Sequence, residues 1–177
     1  MAKLDIIIAP DPRLKRKCAA VERVDAATAQ LMADMLETMY AAPGIGLAAP
    51  QVGVTKRIIV VDPAGDNGPP APLKMANPEI IWSSDEKKQH EEGCLSLPQE
   101  YDMVERPDKI RVRYADENNA TQEIEADGLL SVVIQHEMDH LEGVLFVDHI
   151  SSLKRGIILR RLSKQKKFGK RHAMEPA

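Results

Sequence analysis

Two histidines and a glutamate lie near the C-terminal end of an apolar run, in the pattern H-E-x-x-H formed by His136, Glu137 and His140. On a helix, residues four apart lie one turn above each other, so both imidazoles can face one point and bind one metal ion. Glu137 follows His136 by about 100° around the helix, close enough to reach a water there without being a ligand. The alternative is a core helix whose histidines are hydrogen-bonded by chance. It is disfavoured because ionisable groups seldom lie unpaired inside a core.

An upstream cysteine offers a third ligand for such a site. Cys94 lies in the stretch E-E-G-C-L-S-L-P, and by itself it would be read as an inert buried thiol. A catalytic tetrahedral zinc or iron site uses three protein ligands and keeps its fourth position open, and a thiolate is a strong donor for either metal. Gly93 allows the local backbone to bring the sulfur into place. His90, in a polar connection, and His149, outside the helical spacing, are interpreted as solvated or structural.

An uncharged, glycine-rich segment, residues 44–53, is the third candidate. Glycines allow a backbone to approach a ligand closely, so a phosphate loop has to be considered. The segment lacks the lysine and the hydroxyl residue of a nucleotide loop and does not match G-x-G-x-x-G. We therefore interpret it as an extended apolar loop beside a cleft, where the Gln51 amide can donate to a developing oxyanion.

The composition predicts one domain, residues 1–177, without a membrane or export segment. The chain is 44% hydrophobic, enough for a sizeable core, and its net charge of −3 argues against coating by nucleic acid. No apolar stretch is long enough to cross a membrane, and the N-terminus has too short an apolar run for a signal peptide. Cys18 and Cys94 could form one disulfide, but without an export signal a reducing compartment is the better context. The expectation is a cytoplasmic enzyme.

The remaining pattern predicts the helices and strands that must position these residues. Asp25 is the predicted N-cap of a helix running to about Tyr40, while Asp127 and Gly128 open the H-E-x-x-H helix and Gly143 closes it. Residues 84–89 read as a polar connection. The predicted strands span residues 57–62, 73–82, 109–114, 121–125 and 145–147. The second of them is broken at the Asn77-Pro78 pair, and the last is a short return strand after the H-E-x-x-H helix.

The C-terminal segment is basic, with no acid between Ser151 and Glu175. An apolar stripe at helical spacing runs through it: Leu153, Ile157, Ile158 and Leu162. The pattern predicts a docked amphipathic helix over about residues 151–168, with a frayed tail after it. Its basic face is either simply solvated or binds an anionic partner in a salt-dependent way.

Three stretches together resemble the motifs of peptide deformylase. Residues 44–51 look like G-x-G-x-A-A-x-Q, residues 92–96 like E-G-C-x-S and residues 135–140 like Q-H-E-x-x-H, in the family's order. H-E-x-x-H alone would leave a zinc endopeptidase open, but here the upstream Cys94 completes the triad. The resemblance implies an α+β fold, with antiparallel β-sheets wrapped around a central helix that carries H-E-x-x-H and a C-terminal amphipathic helix.

The resemblance also implies an activity, which is hydrolytic removal of the formyl group from N-formylmethionine of nascent chains, releasing formate. It assigns Cys94, His136 and His140 as metal ligands and Glu137 as the proton carrier that acts as general base and acid. The two oxyanion donors would be the Gln51 amide and the Leu95 backbone N–H. The substrate would be lined by the following residues, with the glycine backbones pairing with the peptide as an added strand: Gly44, Ile45, Gly46, Gly93, Val132 and Val133.

The implied cofactor is one divalent metal ion, with Fe(II) favoured and Zn, Ni or Co as substitutes, because cysteine and histidine suit several metals. The implied partners are the formylated nascent peptide and, through the basic C-terminal helix, the ribosome. A partly buried Glu92–Arg106 ion pair is expected beneath the site, and Tyr101 stands where some members carry an arginine. Two other classes remain: a zinc peptidase acting on unformylated peptides and a non-catalytic ribosome-binding module.

Overall fold

The computed structural model describes residues 2–64 and 68–174, with side chains through residue 167. Its strands are Gly46–Ala48 (β1), Ile58–Val61 (β2), Leu73–Ser83 (β3), Lys87–Cys94 (β4), Leu97–Pro107 (β5), Lys109–Ala115 (β6) and Thr121–Asp127 (β7). They form a five-stranded sheet in the order β1-β2-β3-β6-β7 and a hairpin of β4 with β5. Every pair is antiparallel.

Three α-helices lie in the described residues: Ala26–Ala41 (α1), Gly128–Leu141 (α2) and Ser152–Met174 (α3). Short 3-10 turns occur at Pro12–Lys15, Ala49–Val52 and Phe146–His149. As predicted, Asp25 caps α1, because its carboxylate accepts a 2.8 Å hydrogen bond from the Thr28 backbone N–H. Antiparallel sheets combined with these helices make the predicted α+β fold.

The five-stranded sheet is covered by a helix on each face, because alternate residues of a strand point to opposite sides. On one face, Ile59 and Val61 of β2 pack in a cluster with Val133 and Ile134 of α2. On the other face, Ile58 and Val60 of β2 pack against three methionines of α1: Met32, Met35 and Met39. Strand β2 is therefore apolar at every position.

Helix α2 lies between the five-stranded sheet and the β4-β5 hairpin, with contacts to β1 on one side and to β5 on the other. A third cluster packs the hairpin against the Phe146–His149 turn and α3: Leu97, Val104, Phe146, Val147, Ile158 and Leu162. The H-E-x-x-H helix is thus the element around which both sheets are arranged. Side chains from either sheet can reach its middle turns.

The predicted break at the Asn77-Pro78 pair is present as a local irregularity, but it does not end the strand, since β3 continues through it. Asn77 has a φ of 51°, and the register with β6 shifts between Ala76 and Glu79. The Asn77 side chain accepts from the Val21 N–H and donates to the Val21 carbonyl, at 2.8 and 2.7 Å. These bonds stabilise the irregular backbone without ending the strand.

Two segments predicted to be irregular are paired strands. In the first, residues 44–53 contain β1 and then the Ala49–Val52 turn, so the predicted extended loop is only partly extended. In the second, β4 begins at Lys87, inside the predicted polar connection, and His90 lies opposite Val104 of β5. Pairing with a neighbouring strand outweighs the weak strand propensity of these polar residues.

The predicted return strand at residues 145–147 is also wrong, because this segment forms the 3-10 turn Phe146–His149. The Asp148 carboxylate accepts a 2.9 Å hydrogen bond from the Leu145 N–H and so closes the turn. A short polar side chain competing for a backbone donor is a common reason for such a turn.

Helix α3 is longer and less buried than predicted. It extends to Met174, beyond the predicted end near residue 168. Ile158 and Leu162 are buried, but Leu153, from the same predicted stripe, is 70% exposed. Arg161 Nη1 donates to both carboxylate oxygens of Glu100 of β5, at 2.7 and 2.9 Å. No helix in the described part of the chain is long and apolar enough to cross a bilayer.

Candidate metal centre

His136 and His140 lie one turn apart on α2, and their ring centroids are 5.2 Å apart. Both rings are buried. Helix α2 begins directly after Asp127, the last residue of β7, so it lies against the face of the sheet to which β7 belongs. Helical periodicity turns both imidazoles towards the β4-β5 hairpin.

Cys94 is the last residue of β4, where the hairpin register shifts between Gly93 and Cys94. Its Sγ lies 3.4 Å from His140 Nε2. One ligand atom from each of Cys94, His136 and His140 falls in a group whose members all lie within 4.8 Å of one another. Cys94 and Cys18 are both free. One sulfur and two imidazole nitrogens at this separation form a donor set that fits a cation of the zinc or iron class.

The carboxylate of Glu92 orients the first imidazole. His136 Nδ1–H donates to Glu92 Oε1 at 2.9 Å, which leaves Nε2 for the ligand group. The predicted Glu92–Arg106 pair is confirmed: Arg106 Nε and Nη2 donate to the two Glu92 oxygens at 2.6 and 2.9 Å, and both side chains are buried. Burial opposes ionisation, but the bonds from Arg106 and His136 lower the pKa of Glu92 to about 2. Glu92 is therefore a charged carboxylate.

The two imidazoles differ in their affinity for protons. Burial lowers the pKa of His140 well below its ordinary value, and the neighbouring His136 lowers it further. Burial acts in the same direction on His136, but its interactions with Cys94 and Glu92 outweigh it and raise the pKa well above the ordinary value. The direction of these shifts favours the neutral form of His140, whereas His136 would have to release a proton to act as a metal ligand.

Glu137 lies beside the ligand group with one oxygen unsatisfied. Its Oε2 is buried and has no hydrogen-bond partner within the part of the chain that the structure describes. Burial raises the pKa of Glu137 to about 7. A carboxyl group with that pKa can both accept and donate a proton near neutrality, as a general base and acid must.

The side chain of Gln51 is fixed at both ends of its amide. Oε1 accepts from the Ala48 backbone N–H at 2.9 Å, and Nε2 donates to Ser96 Oγ at 3.0 Å. Nε2 also lies 3.5 Å from Cys94 Sγ, so the amide faces the ligand group. Leu95, the residue after Cys94, carries the second predicted oxyanion donor on its backbone.

Comparison with known proteins agrees with these features. The family model described as "Polypeptide deformylase" matches residues 3–156. The chain belongs to the polypeptide deformylase family. A peptide deformylase from Phenylobacterium zucineum is 52% identical over 167 residues, which cover 94% of this chain and 99% of that one.

Solved deformylase structures share the fold. The crystal structure of peptide deformylase from Ehrlichia chaffeensis superposes with a TM-score of 0.89 at 38% identity, covering 95% of this chain and 99% of that chain. The same enzyme in complex with actinonin also gives a TM-score of 0.89, at 41% identity, with coverages of 93% and 98%. The chain is therefore a member of a family of hydrolases with the α+β deformylase fold.

Glycines allow the predicted substrate-binding segments of this deformylase to approach the centre closely. A Cβ on Gly46 would lie 2.9 Å from both Glu137 Cγ and Val133 Cγ1, so only a glycine lets β1 pass here without displacement. A Cβ on Gly44 would lie 2.7 Å from Leu95 Cδ1. Residues 44–46, which are predicted to bind the peptide, thus lie against α2 and against the Leu95 side chain, two residues after the predicted Gly93.

The other predicted lining residues lie in different surroundings. Val132 and Val133 are buried on α2, and Ile45 packs against the cluster between α2 and the sheet. Gly93 lies directly under the ring of Tyr101, which would collide with any side chain there. Tyr101 itself is largely exposed, so the residue at the predicted rim faces solvent.

Sequence reasoning missed several contacts of this centre. Ser96 holds the Gln51 amide, and its place in the E-G-C-x-S stretch was a signal that could have identified it. The ring of Phe146 stacks on His136, with centroids 6.3 Å apart and planes at 26°. His149 donates to Asp139 of α2 at 2.8 Å. Nothing in the local pattern identifies Phe146 or His149, because their contacts arise from the fold of the turn against α2.

Proposed function

We propose that this chain removes the formyl group from N-formylmethionine at the N-terminus of nascent polypeptides, releasing formate. The observation that carries the proposal is the convergence of Cys94, His136 and His140 beside the buried carboxyl of Glu137. Membership of the deformylase family supports the same activity. The proposal treats residues 1–177 as one catalytic domain.

Cys94, His136 and His140 would hold one divalent cation. Such a cation, when bound, supplies a Lewis acid that polarises a carbonyl and makes water a nucleophile near neutral pH. We favour Fe(II) from the family resemblance, with Zn, Ni or Co as substitutes, because these ligands suit several metals. The Glu92 carboxylate would hold the His136 ring in the tautomer that keeps Nε2 available.

Glu137 would carry the proton of the reaction. Its pKa of about 7 allows its carboxylate to accept a proton from the attacking water. The same group, now protonated, can donate to the departing methionyl amine. The free Oε2, buried and without a partner among the described residues, is the atom suited to this transfer.

The Gln51 amide and the Leu95 backbone N–H would stabilise the negative charge that develops on the formyl oxygen. Pre-oriented donors are effective because they need no reorganisation during the reaction. The bonds that hold Gln51 from Ala48 and Ser96 provide this pre-orientation for the amide.

Substrate selection would follow from two open strand edges. β1 is an edge strand of its sheet, and β4 pairs only with β5 among the described strands. A peptide lying between them could bond to the backbones of residues 44–46 and of Gly93 as an added strand, whatever its sequence. Ile45, Val132 and Val133 would supply the apolar wall against methionine and leave room for a group no larger than formyl.

The ribosome is the proposed anionic partner of α3, and the proposed location is therefore the cytoplasm, where nascent chains are made. Arg160, Lys164 and Lys167 are exposed on α3, and no ion pair involves them within the described residues. Changing all three to glutamate should weaken ribosome binding while Ile158 and Leu162 keep the helix docked. Ribosome affinity equal to that of the unchanged chain would remove this part of the proposal.

The central experiment is a formate-release assay on anaerobic, Fe(II)-loaded protein, with metal analysis of the same sample. We expect turnover of formylmethionyl peptides, and inhibition by actinonin, because a deformylase of the same fold was solved in complex with it. A Cys94→Ala variant should lose both metal and activity. Cleavage of unformylated peptides, with no formate released from formylated ones, would contradict the proposal and indicate a zinc peptidase.

A further inference from the structure

The 3-10 turn Phe146–His149 reaches the ligand His136 by two routes. The first is direct, through the stacked Phe146 ring. The second starts at the other end of the turn, where His149 Nε2–H donates to Asp139 Oδ2 on α2. The turn is itself held by Asp148, which accepts from the Leu145 N–H and pairs with Arg155 of α3.

The second route is a continuous chain of hydrogen bonds. The oxygen of Asp139 that accepts from His149 also accepts from Arg106 Nη1, at 2.9 Å. The remaining two nitrogens of Arg106 bind both oxygens of Glu92. Glu92 in turn binds His136 Nδ1. Each link is 2.9 Å or shorter, so the chain runs unbroken from a partly exposed histidine to the buried imidazole.

We propose that His149 is a positioning residue for His136, acting through Asp139, Arg106 and Glu92. The inference rests on the proposed metal site, because it concerns how firmly a ligand of that site is held. It adds a distant residue to the deformylase centre, outside the three motif stretches and nine positions beyond the second histidine.

The exposures along the chain explain why an outer residue matters. The Arg106 side chain is 5% exposed and depends on protein acceptors for its donors, whereas the Asp139 side chain is 27% exposed. A partly exposed carboxylate can rotate towards water unless a second donor holds it. His149 is that donor, so its loss frees Asp139 and leaves Arg106 Nη1 without a fixed acceptor. A buried donor without an acceptor is costly, and the Arg106–Glu92 fork would shift to compensate.

An ordinary surface ion pair would act differently. Exposed pairs contribute little to stability, and their loss leaves distant sites unchanged. Arg57–Glu142 is a more exposed pair at the C-terminal end of the same helix, with Glu142 47% and Arg57 22% exposed and a distance of 2.7 Å. It makes no contact with Arg106 among the described side chains. Glu142→Gln is therefore a matched control for loss of a charged contact to α2.

The test compares His149→Ala, His149→Gln and Glu142→Gln with the unchanged chain, each loaded with zinc. The first readout is the rate at which zinc transfers to a chromophoric chelator in excess. Substituting a direct partner of a ligand typically changes affinity or activity by roughly 10- to 100-fold, and His149 acts through three intermediates. We expect His149→Ala to release zinc about three- to tenfold faster, which is below that range.

The glutamine variant separates positioning from bulk stability. Its amide nitrogen lies near the position of Nε2 and can donate to Asp139, so zinc release should return close to that of the unchanged chain.

Deformylation by His149→Ala should show a lower kcat with KM unchanged, because the residue contacts no substrate. The visible absorption of the cobalt-substituted protein should shift in His149→Ala and not in Glu142→Gln.

The zinc-release rates decide whether His149 positions His136. Zinc release from His149→Ala as slow as from Glu142→Gln would overturn the inference, and so would a glutamine variant as fast as the alanine one. A chain that binds no zinc in its unchanged form would overturn the metal site together with this inference. Failure of the inference alone leaves metal content and turnover of the unchanged chain intact, so the two failures are distinguishable.

Discussion

Helices α2 and α3 use their polar side chains in opposite ways. On α2 the side chains of Gln135, His136, Glu137 and His140 are buried, and several polar groups of this helix bond to other elements; the Gln135 amide, for example, donates to the Pro107 carbonyl at 3.0 Å. On α3 most of the basic side chains that the structure describes face solvent, and among its described side chains only Ile158 and Leu162 are buried. A helix with buried polar groups is thus held by hydrogen bonds and ion pairs to many residues of other elements. A helix with an exposed basic face makes few such contacts.

The largest effect should come from Glu137 on α2. Glu137→Gln removes the proposed proton carrier and keeps the shape, so formate release should fall about 10²- to 10⁴-fold. Metal content should stay the same, because Glu137 is not one of the proposed ligands. Both are measured on one anaerobic preparation. Full activity of the variant would remove Glu137 from the mechanism.

The buried ion pair beneath α2 should give the next largest effect. Arg106→Met leaves Glu92 charged and buried without its partner, which should lower the free energy of unfolding by about 3–5 kcal/mol. Urea denaturation measures it. The control is Arg113→Met, which removes an exposed pair with Glu123 and should cost less than about 1 kcal/mol. Equal losses in the two variants would contradict the contrast between buried and exposed charges.

On α3 the packing of individual residues should decide the outcome. Leu162 is 1% exposed, so Leu162→Ala should cost about 2–5 kcal/mol of unfolding free energy. Leu153, on the same helix, is mostly exposed, and Leu153→Ala should change it by no more than about 0.5 kcal/mol. If Leu153→Ala were the more damaging change, that result would contradict docking of α3 through the buried Leu162.

The smallest effect concerns pH and the link between α3 and the Phe146–His149 turn. Burial raises the pKa of Asp148, but bonds from Lys15, the Leu145 N–H and Arg155 outweigh it and lower the pKa below 3.8. A lowered folded-state pKa stabilises the protein above the unfolded-state pKa, and this stability is lost as the pH falls through the folded value. Asp148→Asn should therefore be less stable than the unchanged chain near neutral pH.

The stability difference between Asp148→Asn and the unchanged chain should shrink as the pH falls below about 4, where the unfolded carboxyl becomes protonated. Denaturant midpoints of both proteins, measured across that range, test this prediction. A difference that stays constant down to the acid limit would show that the Asp148 charge contributes nothing.

Part of the centre could be predicted from the sequence because the H-E-x-x-H pattern lies within one helix. The spacing of His136 and His140 follows from helical periodicity, and the N-cap at Asp25 follows from side-chain chemistry. The Glu92–Arg106 pair was expected from the resemblance to the deformylase motifs and is confirmed. The antiparallel α+β architecture was expected from that resemblance and is confirmed by the fold and by its solved relatives.

What the sequence by itself determined is therefore short-range: which residues share a helix face, where α1 begins, and which three stretches resemble the deformylase motifs. The tertiary structure alone decided that β3 continues past Asn77, that residues 146–149 form a turn, and that His149 reaches Asp139. These outcomes depend on strand register and on side chains from distant positions that satisfy backbone donors. Periodicity carries no information about such partners, because it reports only which side of an element a residue faces.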